Sequence, residues 1–284
     1  MASQREIRRR IGAVRNIKQI TRAMQFVAAS KLKRAQDAAL AARPYAEKID
    51  EVLSDLAAVL SDEDHPLLAH RAGDRRWLVL FTTDRGLAGP LNTNVIRFAQ
   101  REIVEHSGDM RVIPVGRKGR EGMRRFRVPM EATFPGLGDR PTFADVVPLA
   151  RLLSDAYVGG QVDRVDLVYS TFVSTLVQRP RSEQLLPVQP APDYLTGIPG
   201  RQFIFEPAPA LVLEQLLPRY VATRLYRAVL ENLASEHSAR MVAMKNATDN
   251  AEELIDDLTL TYNKVRQANI TREMIEIATG AQAS

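Results

Sequence analysis

From Leu211 to Thr279 the chain contains no glycine, and beyond Pro218 it contains no proline. Through the last part of that stretch, apolar positions alternate in steps of three and four: Met241, Met244, Thr248, Ala251, Ile255, Leu258, Tyr262 and Val265. This is a heptad seam with two imperfect members, Thr248 and Ala251. At about 1.5 Å per residue, such a helix extends roughly 100 Å, too long for a small domain to enclose. It needs a partner helix, and the other end of the chain offers one.

Ser3 and Glu6 form an S-x-x-E capping pattern that starts a helix. Ile7, Ile11, Val14, Ile17, Ile20, Met24 and Val27 follow at steps of three or four, which predicts one apolar stripe with a basic back. Pro44 predicts a kink or short break near Arg43, after which Ile49, Val52, Leu53, Leu56, Val59 and Leu60 resume the stripe. Residues 1–36 carry ten basic side chains against one acid, a balance of +9, so the remaining 248 residues sum to −4. The basic character is thereby assigned to this one helix, whose partner should be anionic: an acidic protein surface, nucleic acid or a phospholipid surface.

Between the two helical ends the texture changes. Every proline except Pro44 lies between Pro66 and Pro218. Trp77–Thr82, Arg111–Val115 and Asp166–Phe172 read as strands, with Pro114 favouring an edge position or strand end. Gln184–Val188 and Gln202–Phe205 are candidate outer strands. Leu91–Glu105 and Phe143–Val158 read as helices, the second with a Thr142…Asp145 cap. The alternation predicts an α/β fold with three parts: an N-terminal coiled-coil helix over 1–60, a small central α/β domain of Rossmann-like type over 75–205, and a C-terminal coiled-coil helix over 211–284. One helix enters the small domain and the other leaves it, so the pair forms an antiparallel coiled coil.

Several chemistries are excluded. The absence of cysteine removes disulfides, thiolate metal sites and thiol nucleophiles. No apolar run approaches 18 residues, and the arginine-rich N-terminus lacks a secretory apolar core. His65, His70, His106 and His237 show no ligand spacing, and His237 reads as a polar seam residue. Thr83–Asn92 and Gly116–Gly119 follow strands, where α/β proteins bind phosphates, but neither has the phosphate-loop glycine spacing. The first reads as a structural turn, the second as a solvated basic turn. No catalytic, cofactor or metal residue is assigned. An α/β enzyme or nucleotide-binding protein with helical arms, and a basic coiled-coil nucleic-acid binder, stay open as alternatives.

Long stretches of the chain resemble the gamma subunits of bacterial F-type ATP synthases. The likeness is densest in Ile17–Gln36 (IKQITRAMQFVAASKLKRAQ) and Ala234–Gly280, with further pieces at Thr83–Asn92 (TDRGLAGPLN), Gly116–Gly119 (GRKG), Gln184–Val188 (QLLPV) and Leu216–Tyr220 (LLPRY). The resemblance implies a non-catalytic central-stalk rotor of a proton-translocating complex. Its partners would be three alpha and three beta subunits, the epsilon subunit and a membrane ring of c subunits. It would lie at the cytoplasmic side of the bacterial plasma membrane without a span of its own. On the family's pattern, Lys18, Arg22, Met24, Lys31, Lys33 and Arg34 would face an acidic lever of beta, and Arg266 and Gln267, with Thr271 and Glu273 nearby, would meet a loop of beta. Relatives often carry Cys where Ala88 stands, and the chloroplast cysteine-bearing segment is absent, so thiol control is not expected.

Overall fold

A computed structural model describes residues 3–57, 65–189 and 208–282. Its elements are α1 (Gln4–Ala57), β1 (Arg76–Phe81), α2 (Leu91–Glu105), β2 (Met110–Val115), α3 (Arg117–Arg125), α4 (Phe143–Val158), β3 (Arg164–Phe172), β4 (Gln178–Leu186) and α5 (Pro209–Gln282). They form two compact units. One comprises residues 1–28 with 240–284, the other residues 29–239. Both α1 and α5 contribute to each unit. No helix among the described residues is long and apolar enough to cross a membrane.

The first unit is a two-helix antiparallel coiled coil. Its direction is read from the cross-helix bonds, where position rises on α1 as it falls on α5: Gln4 to Tyr262 at 3.0 Å, Lys18 to Glu252 at 2.7 Å, Thr21 to Thr248 at 2.8 Å. On α5 the seam runs through the heptad positions expected of it, with Met244, Thr248 and Ala251 buried and Ile255, Leu258, Tyr262 and Val265 half-buried.

On α1 the seam departs from the expected stripe. It passes through Ile7, Ile11, Val14, Lys18, Thr21, Gln25 and Ala28, while Ile17, Ile20 and Val27 are 52%, 59% and 54% exposed. The cause is angular. A step of three turns a helix by 300°, so the two successive steps from Val14 to Ile17 to Ile20 swing an apolar stripe back by about 120°. The heptad continues through Lys18 and Thr21 instead, because Glu252 and Thr248 stand opposite to satisfy them.

In the second unit the sheet order is β2-β1-β3-β4. β1 is parallel to β2 and β3, and β4 is antiparallel to β3. Alternation along β1 divides the core. Trp77, Val79 and Phe81 face a cluster built with α1 (Ile49, Leu53, Leu56), α4 (Val146, Leu149, Leu153) and α5 (Leu217, Val221, Leu225). Leu78 and Leu80 face a smaller cluster with Val95 and Ala99 of α2 and Met123 of α3. Burial on both faces explains why β1 reads as a continuous apolar run rather than an alternating one.

Pro114 sits in β2, an edge strand, paired with Leu80 near the end of the ladder. Thr142 opens α4 by donating its N–H and its hydroxyl to Asp145 Oδ2, both at 2.7 Å. Three expectations need correction. There is no break at Pro44, since α1 is continuous through it. Pro44 cannot bond the carbonyl of Leu40, but Leu40 is 63% exposed, so water can take that place. The basic turn at Gly116–Gly119 is the start of α3, and β4 begins at Gln178, well before Gln184. The candidate strand at Gln202–Phe205 lies outside the described residues.

Candidate functional site

The two loops at the C-terminal ends of β1 and β2 are filled by their own side chains. Thr83 N–H donates to Asn92 Oδ1 at 3.1 Å, and Asn92 Nδ2 donates to Thr83 Oγ1 at 2.8 Å, closing the loop onto α2. Asp84 Oδ1 accepts the Arg117 N–H at 2.9 Å, and the Arg117 guanidinium donates back to the Asp84 carbonyl at 3.0 and 2.7 Å. The N-terminus of α3, where a phosphate would bind, is therefore occupied by a carboxylate of the same chain. The adjoining cavity of about 170 Å³ is lined by Asp84, Asp139 and Glu236, with Arg85 the one basic member, which does not suit an anion.

The outer surface of the coiled coil has the features of a binding face. Ile17, Ile20 and Val27 are exposed beside Phe26, which is 61% exposed. Arg8, Arg9, Arg15 and Arg22 stand exposed on the same helix. At the other end, α5 continues past Tyr262, the residue opposite Gln4, with Ile270, Met274, Ile275 and Ile277 between 48% and 72% exposed. A bare helical end carrying four large apolar side chains is poorly stabilised without a surrounding surface.

The basic residues expected to face a partner divide into two groups. Lys18 lies in the seam and donates to Glu252 Oε1 at 2.7 Å, a hydrogen bond that holds the Glu252 carboxyl below its ordinary range. Lys31, in the second unit, pairs at 2.5 Å with Asp139, whose pKa is lowered chiefly by that bond. Lys33 pairs with Asp37 one turn on, at 2.9 Å. Arg34 is exposed, its Nε 3.4 Å from the Ser30 carbonyl, and Arg22 is exposed with no ion pair among the described residues. Met24 is half-buried at the border of the seam. Arg266, Gln267, Thr271 and Glu273 are all exposed along the α5 end, where the Thr271 hydroxyl donates to the Gln267 carbonyl at 2.9 Å.

Sequence reasoning missed Ile17, Ile20, Phe26 and Val27 as surface residues. The three consecutive steps of three from Ile11 to Ile20, where a heptad alternates three with four, are the available signal. His237, expected in the seam, is fully buried in the second unit with Nε2 3.8 Å from Asp139 Oδ1.

The sequence model of the ATP synthase family matches residues 3–283. The ATP synthase gamma chain of Dehalococcoides mccartyi is 48% identical, covering 100% of this chain and 99% of that one. Those of Desulfitobacterium hafniense and Acidithiobacillus ferrooxidans are each 47% identical, covering 100% of this chain and 99% and 100% of theirs. Among solved structures, the central stalk and c-ring of Tetrahymena thermophila mitochondrial ATP synthase is similar with a TM-score of 0.62 at 26% identity, over 80% of this chain and 99% of that one. The rotor of Euglena gracilis mitochondrial ATP synthase shares the fold with a TM-score of 0.66 at 22% identity, over 94% and 98%. This chain belongs to the family of ATP synthase gamma chains.

Proposed function

We propose that the chain is the non-catalytic rotor of the central stalk in an F-type ATP synthase. It couples proton flow through a ring of c subunits to conformational change at sites held by three alpha and three beta subunits. The epsilon subunit is a further partner. The complex is peripheral to the bacterial plasma membrane at this end, on the cytoplasmic side. The observation that carries the reading is the first unit's outer surface. Its seam is satisfied internally, yet Ile17, Ile20 and Val27 on α1 and Ile270, Met274, Ile275 and Ile277 on α5 are left outside. Those side chains need other chains around them.

A rotor has to engage three equivalent neighbours in turn. An outer face that mixes apolar side chains with exposed arginines makes shallow contacts that re-form at each stop, with long-range attraction supplied by charge. A polypeptide with different side chains around its circumference biases each neighbour differently at any instant, which is what sequential catalysis requires. The lining of the cavity beside Asp84 gives no support for a nucleotide site in this chain.

The test is reconstitution with alpha and beta subunits. The chain should co-purify with them. Ile20→Asp with Val27→Asp should leave the isolated chain folded and abolish coupled ATP synthesis. Retention of full synthesis by that double variant, or substrate turnover by the chain alone, overturns the reading.

A further inference from the structure

The N-terminal helix is not the only strongly basic element. Residues 117–127 hold Arg117, Lys118, Arg120, Arg124, Arg125 and Arg127 against the single acid Glu121, a balance of +5. α3 buries Gly119 and Met123 and sets Gly122 against Ile96 of α2, while its arginines are exposed. Arg117 is bound to Asp84, and Lys118 pairs with Glu121 at 3.1 Å. Arg120, Arg124, Arg125 and Arg127 are exposed, and none forms an ion pair among the described residues. In their midst Phe126 is 52% exposed.

The backbone holds this group outward. Arg127 N–H bonds the Arg124 carbonyl at 3.2 Å and Val128 N–H bonds the Met123 carbonyl at 3.1 Å. That is a Schellman ending, whose left-handed position is ordinarily glycine. Here Arg127 occupies it with φ +56°. A bulky cationic side chain kept at a position where glycine is easier points to a task for the charge rather than for the turn.

We propose that the exposed end of α3, made by Arg120, Arg124, Arg125, Phe126 and Arg127, docks on the anionic headgroups of a phospholipid surface. Four exposed cations clustered at one helix end match an array of headgroup phosphates better than a single phosphate. Phe126 is the element that distinguishes lipid from other anions. An aromatic ring flanked by arginines sits at the headgroup boundary, with the guanidinium groups held at the phosphate level. This inference goes beyond the rotor reading and does not depend on it.

The test uses the full chain and vesicles of phosphatidylglycerol or of phosphatidylcholine. The chain's one tryptophan, Trp77, is buried at 4% exposure, so Phe126→Trp adds a reporter whose emission changes are separable. Its emission should shift to shorter wavelength with phosphatidylglycerol vesicles and not with phosphatidylcholine. Arg124→Gln, Arg125→Gln and Arg127→Gln together should weaken partitioning about 100-fold, from roughly fivefold per basic side chain near an anionic surface. Arg8→Gln, Arg9→Gln and Arg10→Gln should leave the emission shift in place, separating this patch from the N-terminal helix. Circular dichroism checks that each variant is folded, and Arg120→Gln with Phe126→Ser gives a second route if the triple variant is not. No emission shift, unchanged partitioning of the folded arginine variants, or binding to polyglutamate or duplex DNA without any binding to vesicles overturns the proposal.

Discussion

Thr21 and Thr248 meet hydroxyl to hydroxyl across the seam of the coiled coil, 2.8 Å apart and both under 10% exposed. Each also lies within reach of its own helix, Thr248 Oγ1 2.8 Å from the Met244 carbonyl and Thr21 Oγ1 3.1 Å from the Lys18 carbonyl, so that one hydroxyl donates to its partner while the other donates to its backbone carbonyl. One turn away, Lys18 bonds Glu252. These form a polar layer within the seam, and such layers fix register at some expense of stability. Thr21→Val or Thr248→Val alone should cost about 1 kcal/mol or less, because the remaining hydroxyl keeps its backbone acceptor. The double variant should return close to the parent, since both partners become apolar and isosteric. A thermal double-mutant cycle reads this, and strictly additive losses would contradict it.

The division among the basic residues makes its own prediction. Lys18 and Lys31 have committed their charges to Glu252 and Asp139, whereas Arg22 forms no ion pair among the described residues. Lys18→Gln and Lys31→Gln should lower thermal stability slightly and leave proton-driven synthesis near the parent rate. Arg22→Gln with Arg34→Gln should leave stability unchanged and slow synthesis several-fold, more so at higher ionic strength, where the residual attraction is screened. Equal effects of the two pairs on synthesis would refute the distinction.

Arg224 fastens three elements of the second unit. Its guanidinium bonds Glu183 of β4, lies 3.9 Å from Asp50 of α1, and stands over the Tyr220 ring of its own helix at 5.7 Å. Tyr169 of β3 completes the group by donating its hydroxyl to Glu183 at 2.8 Å. Burial raises the Asp50 carboxyl above its ordinary value despite Arg224, and pushes the Tyr220 hydroxyl up to about 12. Arg224→Leu would leave Glu183 and Asp50, at 15% and 12% side-chain exposure, without the cation they share and with only Arg181, 3.9 Å from Glu183, and Arg227 near Asp50 to offset them. A loss of about 3 kcal/mol is expected, at the low end for a broken buried pair because both carboxylates keep some contact with water. Denaturant unfolding checks it. Adding Glu183→Gln should recover part of the loss.

The two ends of the chain differ in how far they can be read from residues alone. On α5 the step of three and four persists from Met241 to Val265, and the packed seam follows it. On α1 two apolar stripes overlap, and nothing in the order of residues says which meets the partner helix. Lys18 and Thr21 decide it through residues more than 220 positions away. α3 shows no helical period in its residues, because its buried positions are Gly119 and Met123 alone. The same composition concealed the arginine cluster around Phe126. Fold class and strand positions came from continuous apolar runs such as Trp77–Phe81. Surface function did not, because exposure is a property of what remains uncovered.

Acid sensitivity should centre on Asp163. Its carboxylate takes hydrogen bonds from the Arg75 N–H at 3.0 Å and from the Arg75 guanidinium at 2.9 and 2.7 Å. The guanidinium hydrogen bonds chiefly hold its pKa below the ordinary aspartate range. A depressed acid contributes stability that is complete above the unfolded value and is lost as pH falls through the folded one, so the loss lies below about pH 4. Asp163→Asn should cost about 1–2 kcal/mol at pH 7, moderated because Arg75 is half exposed and can turn to water, and should flatten the decline between pH 4 and pH 2. An unchanged acid slope in thermal melts would point to other carboxylates.

Gly116 and Gly119 both press on Thr82, and the two contacts differ in kind. A Cβ at Gly116 would lie 2.4 Å from the Thr82 carbonyl oxygen, on a backbone with φ +101°. A Cβ at Gly119 would lie 2.8 Å from Thr82 Oγ1, the hydroxyl that accepts the Gly119 N–H at the same distance. Gly116→Ala should therefore cost more than about 2 kcal/mol, and no change of side chain at Thr82 should relieve it, because the obstacle is backbone. Gly119→Ala should also be destabilising, but Gly119→Ala with Thr82→Ala should lose less than the sum of the two single changes, since the obstructing hydroxyl and methyl are gone. Urea unfolding of the four variants distinguishes the cases. Rescue of Gly116→Ala by Thr82→Ala would show that the turn yields at the side chain, and that the glycine there is not required by its backbone.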